Sequence, residues 1–133
     1  MLNLTDLNVA YGQSLILRDV NMTIPNNSVV CLLGRNGVGK TTTLRGIMNL
    51  ANTLSGTISM RGESINSIGT EKRARSGIGF VPQGRDIFPN LTVWENLKVS
   101  ISIKGKEALE RLDEVYTLFP VLKDMKNRKG GVL

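Results

Sequence analysis

Apolar and polar residues alternate from Asp19 to Ile24: Val20, Met22 and Ile24 stand against Asp19, Asn21 and Thr23, the period of a half-buried strand. The whole first segment, Leu2 to Ile24, reads as strands. It is interrupted by a turn at Tyr11-Gly12-Gln13-Ser14 and closed by another at Pro25-Asn26-Asn27-Ser28. Val29-Val30-Cys31-Leu32-Leu33 does not alternate, which predicts a strand buried on both faces. A helix is predicted over Thr42 to Leu50. Ile58 and Met60 alternate with Thr57, Ser59 and Arg61 before Gly62 turns the chain. Glu71 to Ser76 reads as a short polar helix, and Ile78-Gly79-Phe80-Val81 as a short strand that Pro82, without an N–H, stops. Beyond Pro89 the period becomes helical. Thr92 and Glu95 form a capping box ahead of a helix from Val93 to Ile101. A clearer helix, Glu107 to Phe119, sets Ala108, Leu112, Val115, Tyr116 and Phe119 on one face, allows a Glu107–Arg111 pair, and ends at Pro120. This pattern divides the chain into residues 1–88, a β subdomain with an α/β core, and residues 89–133, the start of a helical subdomain.

The junction between the apolar run and the first helix carries the chemistry. Gly34-Arg35-Asn36-Gly37-Val38-Gly39-Lys40-Thr41 fits G-x-x-x-x-G-K-[ST], the P-loop, without a mismatch, and lies between a predicted strand and a predicted helix. Glycines let consecutive backbone N–H groups turn inward around phosphate oxygens. Those groups stand at a helix N-terminus, where the dipole favours an anion. Lys40 would reach the β- and γ-phosphates, and the Thr41 hydroxyl would ligate Mg²⁺. The alternative, a Gly-rich turn that merely contains Lys-Thr, leaves the flanking strand and helix unexplained. A nucleoside triphosphate is the expected ligand.

Composition narrows the class. At 133 residues with 41% hydrophobic residues, the chain is the size of one small domain and contains no apolar run long enough to span a membrane. The N-terminus lacks a charged n-region followed by an apolar h-region, so a cytosolic protein is expected. The single cysteine, Cys31, agrees with a reducing compartment and reads as a small apolar residue in a buried strand. The net charge of +6 would suit an anionic partner such as nucleic acid. The basic residues are spread out, however, and the densest cluster, Lys123 to Lys129, has no interleaved aromatics, so no nucleic-acid partner is expected.

Two further residues gain meaning beside the P-loop. Tyr11, in a turn between strands, offers a ring that could stack on adenine, or a packing or surface tyrosine. Gln83, in the loop Pro82-Gln83-Gly84-Arg85, offers a neutral carbonyl that can ligate Mg²⁺ and orient a water. Tyr11, the segment Gly34 to Thr42, Leu54-Ser55-Gly56 and Val81-Pro82-Gln83 together resemble the nucleotide-binding domain of ABC transporters, over the whole chain from Leu2 to Leu133. The resemblance implies an α/β P-loop NTPase fold with an antiparallel β subdomain, ATP and Mg²⁺ as ligands, and Tyr11 as the adenine-stacking residue. It implies Gly34, Arg35, Asn36, Gly37, Val38, Gly39, Lys40, Thr41 and Thr42 as the phosphate site. It further implies Thr41 and Gln83 as metal residues, with Lys40 and Gln83 in the catalytic set. The implied partners are transmembrane permease subunits beside the Gln83 loop and a second ATP-binding subunit, on the cytoplasmic face of the membrane. Val81 to Pro89 and Gly34 to Gly39 look like the branched-chain amino acid uptake group, which includes urea transporter ATPases. Tyr11 to Ser14, Leu118 to Lys123 and Arg128 to Gly131 lean toward the urea branch. Trp94 stands where the family mostly has a charged residue, and Val132 where an acidic one is common.

Other parts of that family's machinery are missing. No apolar strand ends in Asp or Glu to hold Mg²⁺ or polarise water, no histidine exists, and the Leu-Ser-Gly-Gly-Gln signature is absent. The expectation is the N-terminal part of a longer ATPase that binds nucleotide weakly, hydrolyses essentially none, and is marginally stable because Val29 to Leu33 keeps an open apolar edge. Competing readings are a soluble ABC-type ATPase acting on ribosomes or DNA, and an unrelated P-loop kinase or GTPase. The latter would not need Tyr11 or Gln83 in these places.

Overall fold

The computed structural model describes residues 1–133 except Arg85, Gly105 and Leu133, and leaves aside the side chains of Ser100 and residues 102–109. The chain forms two compact units, Met1–Val81 and Pro82–Leu133.

The first unit is built on a four-stranded antiparallel sheet. Its strands are β1 (Leu2–Tyr11), β2 (Ser14–Ile24), β3 (Asn52–Met60) and β4 (Glu63–Ser64), in the order β2-β1-β3-β4. Helix α1 (Lys40–Ile47) and the short α2 (Thr70–Arg75) complete it. The expected turn at residues 11–14 is the β1–β2 hairpin, closed by the Tyr11–Ser14 pair. The apolar pattern of β1 changes phase between Leu4 and Leu7, yet both are buried. Asp6, at φ 47°, inserts one extra residue there and returns Leu7 and Val9 to the inner face. Asp19, at φ 45°, does the same for β2 between Leu17 and Val20. The two bulges lock reciprocally. Asn8 Nδ2 donates to Asp19 Oδ1 (3.0 Å), and Asn21 Nδ2 donates to Asp6 Oδ1 (2.9 Å). The core beneath gathers Leu4, Leu7, Val9, Leu17, Ile47 and Ile58.

Two expected strands are not formed. Residues 29–33 pair with no neighbour among the described residues, and Val29 is fully exposed. An apolar run forms a buried strand only when strands on both sides supply its ladder. The antiparallel sheet, whose order closes without this segment, supplies none. Cys31 is accordingly exposed rather than buried. Ile78 to Val81 likewise makes no ladder among the described residues. Ile78 packs on the core and its N–H donates to Arg73 O (3.2 Å), while Val81 is exposed.

The second unit comprises α3 (Val93–Lys104), α4 (Lys106–Leu118), α5 (Pro120–Asp124) and a 3₁₀ turn at Gly130–Val132. The capping box forms as expected: Thr92 N–H and Oγ1–H both donate to Glu95 Oε2 (2.8 Å each), and Glu95 N–H donates to Thr92 Oγ1 (3.1 Å). Carbonyls of the tail satisfy further first-turn donors, Val93 N–H on Arg128 O and Trp94 N–H on Lys126 O. Leu112, Val115 and Tyr116 are half-buried on α4. Phe119 is not on that face. It lies past the end of α4 as the N-cap of α5, exposed, because Pro120 suits the first position of a new helix as well as it stops the old one. The side chains of Ala108 and Glu107, the latter expected to pair with Arg111, lie outside the described residues.

Glu95 gives this unit a pH dependence. Hydrogen bonds from Thr92, backbone first and hydroxyl second, hold its carboxyl below the usual glutamate range, with Lys98 adding to them and desolvation opposing. A carboxyl whose pKa is lowered by folding stabilises the fold above its ordinary range, and the stabilisation is lost as pH falls through the lowered value. Glu95→Gln is expected to remove this part of the acid sensitivity, read as Trp94 emission against pH. An acid profile identical to that of the parent chain would exclude the role.

Candidate functional site

Local backbone chemistry builds the site on the first unit. Gly37 (φ 83°) and Gly39 (φ 97°) take left-handed conformations that turn the loop onto α1. Gly39 is the more constrained: a Cβ there would lie 2.5 Å from Leu17 Cδ2 of β2. As the N-cap of α1 it offers no side chain to the helix, and the first intrahelical bond is Thr43 N–H to Gly39 O (2.8 Å). The N–H groups of Lys40, Thr41 and Thr42 therefore point out of the helix without an intrahelical acceptor, at the positive end of its dipole.

Lys40 folds back over the loop. Its Nζ donates to Gly34 O (2.8 Å) and Arg35 O (2.6 Å), and no carboxylate pairs with it among the described residues. The ammonium is thus held by carbonyl dipoles alone, and a phosphate would be its first full counter-charge. The threonines divide their roles. Thr43 is buried and closes its hydroxyl on Gly39 O (3.0 Å), Thr42 is buried, and Thr41 is exposed, its hydroxyl making no hydrogen bond among the described residues. A hard cation takes oxygen ligands, and Thr41 is the exposed residue of the three. Arg35, Asn36 and Val38 are exposed along the loop.

Tyr11, at the end of β1, is 40% exposed, and its Oη accepts a hydrogen bond from Arg45 Nη1 of α1 (3.4 Å). The first unit therefore brings the hairpin tyrosine and the loop-bearing helix together. Arg45 was not legible in the sequence as a partner, because nothing in its spacing points to residue 11. Gln83 belongs to the second unit, where it stands exposed in the bend ahead of α3.

Arg73 underpins α1 and was also missed. Its side chain is 1% exposed, and burial lowers its pKa. Nη1 donates to Gly46 O (3.1 Å) and Ile47 O (2.7 Å), Nη2 to Ile65 O (2.6 Å) and Asn66 O (3.3 Å), and Nε to Ile68 O (2.7 Å). A guanidinium thus closes the C-terminus of the helix whose N-terminus faces the loop.

No helix among the described residues is long and apolar enough to cross a membrane. Comparison with known proteins gives a consistent picture. The ABC transporter family model matches residues 17–130. The chain is 38% identical over 134 aligned positions to the "Probable branched-chain amino acid transport ATP-binding protein LivF" of Archaeoglobus fulgidus, covering all of this chain and 57% of that protein. It is 35% identical over 125 positions to the lipopolysaccharide export system ATP-binding protein LptB of Haemophilus influenzae, covering 91% of this chain and 52% of that protein. Among solved structures, the dimeric post-hydrolysis state of the ATP-binding cassette MJ0796 bound to ADP and Pi superimposes with a TM-score of 0.81 at 25% identity, over 97% of this chain and 61% of that one. The chain thus spans little more than half the length of the relatives it matches. With a family match over most of its length and the fold of an ATP-binding cassette's N-terminal part, this chain belongs to the ABC transporter family.

Proposed function

We propose that this chain is the ATP-binding part of a subunit that energises solute import through an ABC transporter. The observation that carries the proposal is the Lys40 ammonium, held among the described residues only by the carbonyls of Gly34 and Arg35, in the loop that leads into α1. The loop N–H groups and Lys40 bind the phosphates, Thr41 offers its hydroxyl to Mg²⁺, and the Tyr11 ring, steadied by Arg45, stacks on adenine; Gln83 is assigned to Mg²⁺ on the family resemblance alone. Mg²⁺, when bound, neutralises charge on the phosphate oxygens. The relative named for branched-chain amino acid transport supports that solute class, and the segments that lean toward the urea branch keep urea beside it. A relative named for export shows that this kind of cassette is not confined to import. The partners are permease subunits, met through the Gln83 loop on the cytoplasmic face of the membrane, and a second ATP-binding subunit. With no histidine and no apolar strand ending in a carboxylate, these residues bind ATP without turning it over.

Calorimetric titration of the chain with ATP and Mg²⁺ tests the reading. Lys40→Ala is expected to weaken binding by about tenfold or more. Tyr11→Ala is expected to weaken it by about fivefold or more, the scale of a base–aromatic stack. Equal affinity in Lys40→Ala and the parent would overturn the phosphate site. Equal affinity in Tyr11→Ala alone would overturn the stacking role of Tyr11 and leave the phosphate site standing.

A further inference from the structure

The second unit contains a cleft of about 400 Å³ that the proposed nucleotide site does not use, lined by Trp94, Tyr116, Lys123, Lys126 and Asn127. Two of its lining residues are half-buried aromatics, Trp94 of α3 and Tyr116 of α4, and three are exposed polar residues at and beyond the end of α5, Lys123, Lys126 and Asn127. The backbone ties the two groups together: Trp94 N–H donates to Lys126 O (3.0 Å). Among the described residues, none of these five side chains makes a hydrogen bond or an ion pair. Asp124, the acidic residue between the two lysines in sequence, does not line the cleft. The volume is that of a small-ligand pocket. Indole and phenol faces accept a flat ring, and unpaired ammonium groups beside them accept an anion.

We infer that this cleft binds a small planar anion, an aromatic or heteroaromatic ring carrying phosphate or carboxylate, stacked against Trp94 and Tyr116 with its charge on Lys123 and Lys126. The site is separate from the P-loop and does not depend on its assignment.

Trp94 is the sole tryptophan of the chain, so its emission reports directly. The test titrates the full chain with uridine monophosphate. Saturable quenching in the submillimolar range is expected. Uridine, with the same ring and no charge, should bind about fivefold more weakly or worse, and so should the Lys123→Gln/Lys126→Gln double variant, each at the scale of an exposed ion contact. Added salt should weaken binding, and Lys40→Ala should leave it unchanged. Both lysines are exposed, so the double variant should keep the parent circular dichroism spectrum. Absence of saturable quenching, equal binding of uridine, or an unaffected double variant would overturn the inference. Loss of the signal in Lys40→Ala would assign it to the P-loop and overturn the inference equally. Much tighter binding of oligouridylate than of the monomer would replace the small-ligand site by a single-strand track.

Discussion

Arg73→Met is expected to cost the first unit about 3–5 kcal/mol. Methionine fills much of the volume of the stem but donates nothing, so the carbonyls of Gly46, Ile47, Ile65, Asn66 and Ile68 lose their common donor in a place that water reaches poorly. A buried acceptor left unmatched costs about 1–3 kcal/mol, and bonds to a charged donor are the stronger kind. Arg73→Lys should recover only part of the loss, because an ammonium offers a point charge where the guanidinium offers a planar fork. Native-state hydrogen exchange at Leu7, Val9 and Ile58, core positions of this unit, reads the effect within the unit itself. A change below about 1 kcal/mol in Arg73→Met would mean that the carbonyls find other donors.

Gly56→Ala is the other large effect, expected at about 2–5 kcal/mol. Gly56 lies on β3 at φ 89°, opposite the bulge of β1, where the β1–β3 register shifts between Thr5 and Asn8. A Cβ there would stand 2.4 Å from Asp6 O and 2.6 Å from Leu7 Cα, and both are backbone atoms that cannot rotate away. Asn66 fixes the same stretch from the other side: its Nδ2 donates to Gly56 O (2.8 Å), and its Oδ1 accepts from Ile58 N–H (2.7 Å). The strand therefore has no free direction in which to yield. The predicted readout is lost exchange protection along β3 and its partner positions on β1. Retained protection within about 1 kcal/mol of the parent would show that the sheet can open locally at low cost.

What could be read from the sequence was what local chemistry decides. The hairpin turn, β3, α1 and the capping box each follow from a turn residue, a period or a cap within a few positions, and each is present. Arg73 could not be read, since its helix looks polar and two of the carbonyls it serves belong to α1, far along the chain. Val29 to Leu33 departs from its pattern for the opposite reason: its composition reports how much burial it wants, whereas its ladder depends on strands that the described residues do not contain. The basic run at residues 123–129 has no aromatic beside it in sequence, yet Trp94 and Tyr116 line the same cleft as Lys123 and Lys126. At the candidate site the loop motif was explicit in the sequence, but the seat of Gly39 on Leu17 and the Arg45–Tyr11 contact are tertiary.

Strand β1 is the shared partner of β2 and β3. The loop and α1 therefore travel on a length of chain whose two ends are both fastened to one strand. Closing such a length has an entropic cost that the β1–β3 pairing meets before any ligand arrives. On the proposed reading of the loop as a phosphate site, apparent affinity would scale with the fraction of molecules in which β3 is docked. A substitution at Ile58, a core position outside the loop, would weaken the ligand by thinning that fraction, and a saturating anion would in turn hold β3 in place.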